Sequence, residues 1–253
     1  MKKKKDNFRS VTIFVLATNE TDLLRETIKK IRENVSDEDI DRVIVVAKSC
    51  NCPGFFEANK IILESNWDKL SVYVQRADTV ELCLAELPHL AESSHFIIMV
   101  ADMEMDPENL RCFVDGAKKN PEKIICAAKW VKGSTVEGYG RLHEIGSRAV
   151  NLFISVIFNK KVRDPFSIYQ IYPVSVYKRM NFRKDSEFVY EYTIKPLHND
   201  VEYEEIPTAY KKRSAGKSNF KFGKLVQTAV SFMLAAVRIR LSPKERHKDT
   251  DVT

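Results

Sequence analysis

Four carboxylates, Asp102, Glu104, Asp106 and Glu108, stand directly behind the apolar run 96–101 (FIIMVA). Asp102, Glu104 and Asp106 alternate, and in extended backbone alternate side chains fall on one side. Carboxylates that converge in this way can hold a hard divalent cation, Mg2+ or Mn2+, through oxygen ligands. Such a cation neutralises a diphosphate and helps it depart, which is Lewis-acid chemistry. Asp106-Pro107-Glu108 also carries the marks of a helix start, with proline in first position and acids in the first turn. The metal expectation therefore rests on Asp102 and Glu104.

Charge of the opposite sign gathers later. From Lys211 to Lys248 there are eleven Lys or Arg against one acid, Glu245. A basic end of this kind points to a phosphate-rich partner, an anionic membrane surface or a phosphorylated ligand. Nucleic acid is set aside, because the segment lacks the interleaved aromatics and motifs that would recognise it.

Those charges need elements to carry them. Short, continuously apolar runs at 11–17, 41–47, 70–75 and 96–101 read as buried parallel strands. Helical spacing fills the intervals at 22–34, 55–65 and 82–91, with Pro88 near the end of the last. The alternation predicts a Rossmann-like α/β domain, a mostly parallel sheet flanked by helices. Ligands of such sheets bind beyond the carboxyl ends of the strands, so the segments at issue are 18–22, 47–53, 76–80 and 101–108.

The second half has a different character. Residues 141–158 and 222–241 read as helices, the first nearly all apolar from Val150 onward and the second with an apolar centre at 229–237. Both apolar stretches fall short of the ~20 residues that span a bilayer. Lys224, Arg238 and Arg240 flank the second. Basic flanks on a short apolar helix suit a segment lying in a membrane interface, and two ordinary core helices are the alternative. The five cysteines are odd in number and contain no CxxC, which predicts a reducing compartment and no zinc site. The lysine run at the start is not followed by a signal-peptide pattern, so a cytoplasmic location is expected.

With these residues in view, the chain resembles family 2 glycosyltransferases, in the branch that transfers sugars to dolichyl or polyprenyl phosphate. Leu16-Ala17-Thr18-Asn19-Glu20 resembles the family's PAYNE motif, and Val100-Ala101-Asp102-Met103-Glu104 its DxD-x-Q motif, with Asp106-Pro107-Glu108 like the PPE that follows. Lys129-Trp130-Val131-Lys132-Gly133-Ser134 is similar to RYVxGG, and Ser147-Arg148-Ala149-Val150-Asn151 to the SRxxN that opens the next helix. Val162-Arg163-Asp164-Pro165-Phe166-Ser167 is similar to VRDPTSG, and Arg213-Ser214-Ala215-Gly216-Lys217-Ser218 to RxxGxS.

The resemblance implies a GT-A fold with amphipathic interface helices, and an inverting transfer from a nucleotide-sugar donor to a polyprenyl or dolichyl phosphate. It implies donor contacts at Leu16, Thr18, Glu20, Val46, Lys48, Ala101, Asp102, Arg213 and Ser218. Asp102 and Glu104 would hold Mg2+ or Mn2+, with Asp102, Glu104 and Arg213 serving catalysis. Lys129 and Arg148 would hold the acceptor phosphate. The implied layout is a basic tail at 1–10, the transferase domain at 11–220, and an interface helix with a basic tail at 221–253, peripheral on the inner face of the membrane. A membrane partner subunit is compatible with it. Ala47-Lys48-Ser49-Cys50 replaces the family's DDGS, Val100 its first DxD acid, and Ile168 and Gln170 the Gly and Arg of its TSGFR turn. These departures favour a second reading, a non-catalytic scaffold or binding subunit.

Overall fold

The computed structural model describes residues 7–19, 21–138, 140–210 and 222–245. Val11–Ala17 (β1), Ile40–Ala47 (β2), Leu70–Val74 (β3) and His95–Val100 (β4) lie parallel in the order β3-β2-β1-β4. β1 is central to this group, with Ile13 opposite Val43 on one side and Ile97 on the other. Buried on both faces, these strands need the unbroken apolar runs that the sequence supplies.

Ile124–Ala128 (β5) and the short Thr135–Val136 (β6) follow, then Gln170–Pro173 (β7), Tyr203–Pro207 (β8) and Ala209–Tyr210 (β9). The seven-stranded sheet has the order β3-β2-β1-β4-β7-β5-β8, in which only β7 runs against its neighbours. Because β7 is antiparallel to both β4 and β5, the carboxyl end of β5 returns to the same edge as those of β1 to β4. β6 and β9 pair as a small parallel ribbon at that edge.

The helices are Asp22–Asn34 (α1), Pro53–Ser65 (α2), Val80–Glu86 (α3), Asn109–Lys119 (α4), Arg141–Phe158 (α5), Val174–Lys178 (α6), Phe188–His198 (α7) and Phe222–Leu241 (α8). One sheet face sets Ile13, Val15, Val45 and Met99 against Leu24, Ile31, Ile61 and Phe113 of α1, α2 and α4. The other sets Phe14, Ile44 and Ile98 against Leu84, Tyr177 and Tyr192 of α3, α6 and α7. A third cluster joins α5, α7 and α8 through Ile154, Phe158, Ile194, Phe232, Ala236 and Ile239.

Several boundaries differ from the sequence expectation. The helix expected to reach residue 91 stops at Glu86, and Pro88 lies in a 3-10 turn, Leu87–His89, since proline cannot continue the α-helical ladder. β7, α6, α7 and β8 fall in a stretch that periodicity left unread. Ser147–Asn151 does not open a helix, as the SRxxN resemblance implied; it lies in the middle of α5, whose N-cap is Gly140.

Candidate active site

Backbone bonds tie the carboxyl end of β4 to β1, that of β3 to β2, and the start of α2 to the end of β1. Ala101 N–H donates to Leu16 O (3.0 Å), Gln75 N–H to Ala47 O (2.9 Å) and Gly54 N–H to Thr18 O (3.0 Å). Gly54 opens α2 behind Pro53, and a Cβ on it would sit 2.8 Å from Ala17 O. Only glycine lets α2 approach the end of β1 this closely.

The acidic segment departs from the extended path expected of it. β4 ends at Val100, and the chain turns at once. Asp102 Oδ1 accepts Glu104 N–H at 3.1 Å, and Met103 takes φ 60°, a left-handed conformation uncommon for methionine. The three acids therefore do not share one side. Asp102 is buried at the turn, and Glu104 Oε2 accepts the Tyr210 hydroxyl at 2.7 Å. Asp106 is buried elsewhere, its Oδ1 accepting Glu108 N–H at 3.0 Å just before α4, whose assigned helix begins at Asn109 with Glu108 as N-cap. Among the described residues no three His, Cys, Asp or Glu side chains converge as a metal site. Asp102 and Glu104 fit a cation in another way. Mg2+ is commonly held by one or two carboxylates and completed by substrate phosphates, which asks no more of the protein than these two hard oxygen donors.

The remaining donor-side residues are distributed as follows. Val46 and Ala101 are buried and Leu16 packs partly into the core, so the side chains of Val46 and Ala101 are withdrawn from the strand-end surface. Thr18 and Lys48 are exposed at the strand ends. Glu20, Arg213 and Ser218 lie outside the described residues.

Across the edge, β5 delivers the basic positions. Lys129 Nζ is 3.1 Å from Asp164 Oδ2, which also accepts Lys129 N–H at 2.9 Å. Asp164 is almost fully buried. The turn that carries it is fixed by Glu205, whose Oε1 accepts N–H of Arg163 (2.6 Å) and Asp164 (2.9 Å), and by Asn151 Nδ2 donating to Arg163 O (2.6 Å). Burial pushes the Glu205 carboxyl above its ordinary value, outweighing those two backbone bonds. Lys129 also stands 5.4 Å from the centre of the Tyr210 ring. His143, in the first turn of α5, is held below the ordinary histidine value, first by burial and then by the charge of Lys129. Arg148 bonds Glu144 at 2.9 Å and lies 4.9 Å from the Trp130 ring centre, while Trp130 Nε1 donates to Ser147 Oγ at 3.1 Å.

Two short loops close this side. Gly133 has φ 98°, which a residue with a Cβ avoids, and lets Ser134 Oγ reach Ala128 O at 2.6 Å. Thr208 N–H donates to the same Ser134 Oγ, and Asn109 Nδ2 donates to Thr208 Oγ1 at 2.6 Å, tying the acidic loop to the end of β8. The structure thus brings Asp102 and Glu104 to one edge with Lys129 and Arg148. Sequence reasoning missed Tyr210, Asp164, Glu205 and Gly54 as contributors. Pro53-Gly54 at a helix start and the VRDP-like turn around Asp164 were the local signals available, but the contacts of Asp164, Glu205 and Tyr210 span 35 or more residues.

A cleft of about 480 Å³ lies elsewhere, between the end of α1 and α4, lined by Arg32, Asp39, Arg111 and Asp115. It contains none of these groups, and the convergence of functional side chains at the strand ends marks the better site.

No family model matches the chain. Among solved structures it is similar to glucosyl-3-phosphoglycerate synthase from Mycobacterium tuberculosis in complex with Mn2+, uridine diphosphate and phosphoglyceric acid. That match has a TM-score of 0.65 and 13% identity, covering 93% of this chain and 80% of that one. The same enzyme with Mn2+, UDP-glucose and phosphoglyceric acid gives 0.64 and 12%, over 90% and 79%. A further mycobacterial protein gives 0.64 and 12%, over 92% and 74%. At this identity the likeness is one of fold: the chain has the Rossmann-like GT-A arrangement.

Proposed function

We propose that the chain transfers a sugar from a nucleotide-sugar donor to a phosphate-bearing acceptor, a polyprenyl or dolichyl phosphate at a membrane surface. The observation that carries the reading is a juxtaposition. α5 begins beside Lys129 and then presents Leu142, Ile145, Leu152 and Val156 to solvent, spaced along one helical face. α8, packed against α5, presents Val226, Val230, Leu234, Val237 and Leu241 in the same manner. Exposed apolar stripes on two neighbouring helices suit an interaction surface. Arg238, paired with Glu187 at 2.5 Å, and Arg240, whose Nε donates to Ile157 O, flank the α8 stripe and remain exposed, which is compatible with an anionic headgroup layer. Among the described residues no helix is long and apolar enough to cross a membrane, so the contact would be one of lying on the bilayer.

The chemistry follows from the acceptor. A phosphate is already an oxyanion and needs no catalytic base; the protein must hold it in line with the anomeric carbon and steady the departing diphosphate. Its oxygen forms the new bond to that carbon as the bond to the diphosphate breaks, which inverts the sugar. Lys129 and Arg148 orient the acceptor phosphate. Asp102 and Glu104 would hold Mg2+ or Mn2+, which supplies charge neutralisation for the leaving group when bound. Thr18, Lys48 and the backbone of Leu16, Val46 and Ala101 form the donor floor. Glu20, Arg213 and Ser218 are assigned to the donor by resemblance alone.

Two of the solved neighbours were crystallised with phosphoglyceric acid, a small phosphorylated acid, so the acceptor phosphate has two possible carriers. Transfer assays with a nucleotide-sugar panel and Mn2+, offering either polyprenyl phosphate in vesicles or phosphoglyceric acid, separate them. The reading expects a lipid-linked product. A product on phosphoglyceric acid alone would remove the lipid and keep the transfer. Ala47 and Val100, which stand where acids are expected, support the scaffold reading, and no donor binding with any nucleotide sugar would establish it.

A further inference from the structure

Tyr210 is the last residue of β9 and touches both halves of the site. Its hydroxyl donates to Glu104 Oε2 at 2.7 Å, its ring lies 5.4 Å from Lys129 Nζ, and its backbone bridges Met105. β9 is in turn registered against β6, with Val136 opposite Tyr210. A glutamate has three side-chain torsions, so each contact to its carboxylate narrows where the oxygens sit. Here a phenol bond holds one oxygen of that carboxylate, while the same ring offers its face to the ammonium within cation–π range.

We propose that Tyr210 is a positioning residue that fixes the Glu104 carboxylate for the metal–diphosphate and registers it against Lys129, so that the donor and acceptor halves hold one geometry. The proposal rests on the transferase reading above. Hydrogen-bond partners of metal-ligating groups typically contribute about 10- to 100-fold in metal affinity or activity. Tyr210→Phe removes only the hydroxyl and keeps the ring over Lys129. Tyr210→Leu removes both.

The test is a Mn2+ titration of the full chain with UDP or GDP, read by loss of the free Mn2+ electron paramagnetic resonance signal, alongside thermal melts. Tyr210→Phe is expected to weaken Mn2+ binding about tenfold with the melting temperature within a few degrees of wild type. In a Glu104→Ala background the same change is expected to add nothing, because its target is gone. Tyr210→Leu is expected to raise the acceptor KM as well, which Tyr210→Phe leaves in place. Wild-type affinity in Tyr210→Phe, or an equal loss with and without Glu104, would overturn the positioning role while the transferase reading stands. Absence of Mn2+ binding by the wild-type chain with both nucleotides would overturn the two together.

Discussion

If the α5–α8 face meets a bilayer, replacing its apolar side chains should release the protein without unfolding it. Leu152 and Leu234 are each 65% exposed, one on each helix, and neither belongs to a core cluster. Full burial of a leucine contributes about 1.5–3 kcal/mol, so burying the exposed share contributes about 1–2 kcal/mol per residue. The double variant Leu152→Gln/Leu234→Gln should therefore lose about 2–4 kcal/mol of partitioning, roughly 30- to 700-fold in the binding constant at 1.4 kcal/mol per decade. Cosedimentation with vesicles containing anionic lipid measures it, and the thermal midpoint should stay near wild type. Unchanged partitioning of the double variant would refute the docking face, as would wild-type binding no stronger to anionic than to neutral vesicles.

Other perturbations test the interior of the site. Asp102→Asn keeps an oxygen for the Glu104 N–H and so keeps the turn, yet it removes a metal charge; transfer should fall at least about a hundredfold with an unchanged circular dichroism spectrum. Lys129→Met leaves Asp164 charged and buried, and removing one partner of a buried pair costs about 3–5 kcal/mol, which chemical denaturation would register as a lowered midpoint. Gly54→Ala forces a Cβ against Ala17 O, and should cost about 1–3 kcal/mol while weakening nucleotide binding at the β1 end. Glu205 is held above its ordinary value by burial, so the folded state binds its proton more tightly than the unfolded chain. That group therefore costs stability as pH rises from the ordinary glutamate range through its raised value, and costs nothing below. Glu205→Gln, which retains an oxygen for the Arg163 and Asp164 N–H groups, should gain in melting temperature relative to wild type as pH increases from about 4 to 7.

The first half of the fold was legible because its strands are buried on both faces and its helices are amphipathic, so each element writes its own period. Helix α1 coincides with its predicted span for this reason, and in the second half α5 and α8 do so as well. β7 was not legible: four residues, Gln170–Pro173, are too few for a pattern, and their antiparallel insertion between β4 and β5 is set by tertiary pairing. In the site, the position of Asp102 could be read, since the end of an apolar strand places it. The disposition of its neighbours could not. Alternation presumes extended backbone, and the Asp102 turn with Met103 in the left-handed region cancels it within two residues. Glu104 meets Tyr210 across 106 positions, and Lys129 meets Asp164 across 35, distances over which no local rule operates.

Sugar transfer to a phosphate is proposed at the strand-end edge that carries Asp102, Glu104 and Lys129. Its most direct test is a single incubation of the purified chain with polyprenyl phosphate in vesicles, Mn2+ and a panel of radiolabelled nucleotide sugars, followed by organic extraction. Label is expected in the lipid phase with at least one donor, lost on chelation of Mn2+ and lost in Asp102→Asn. Label that persists in both controls, or none with any donor, would contradict it.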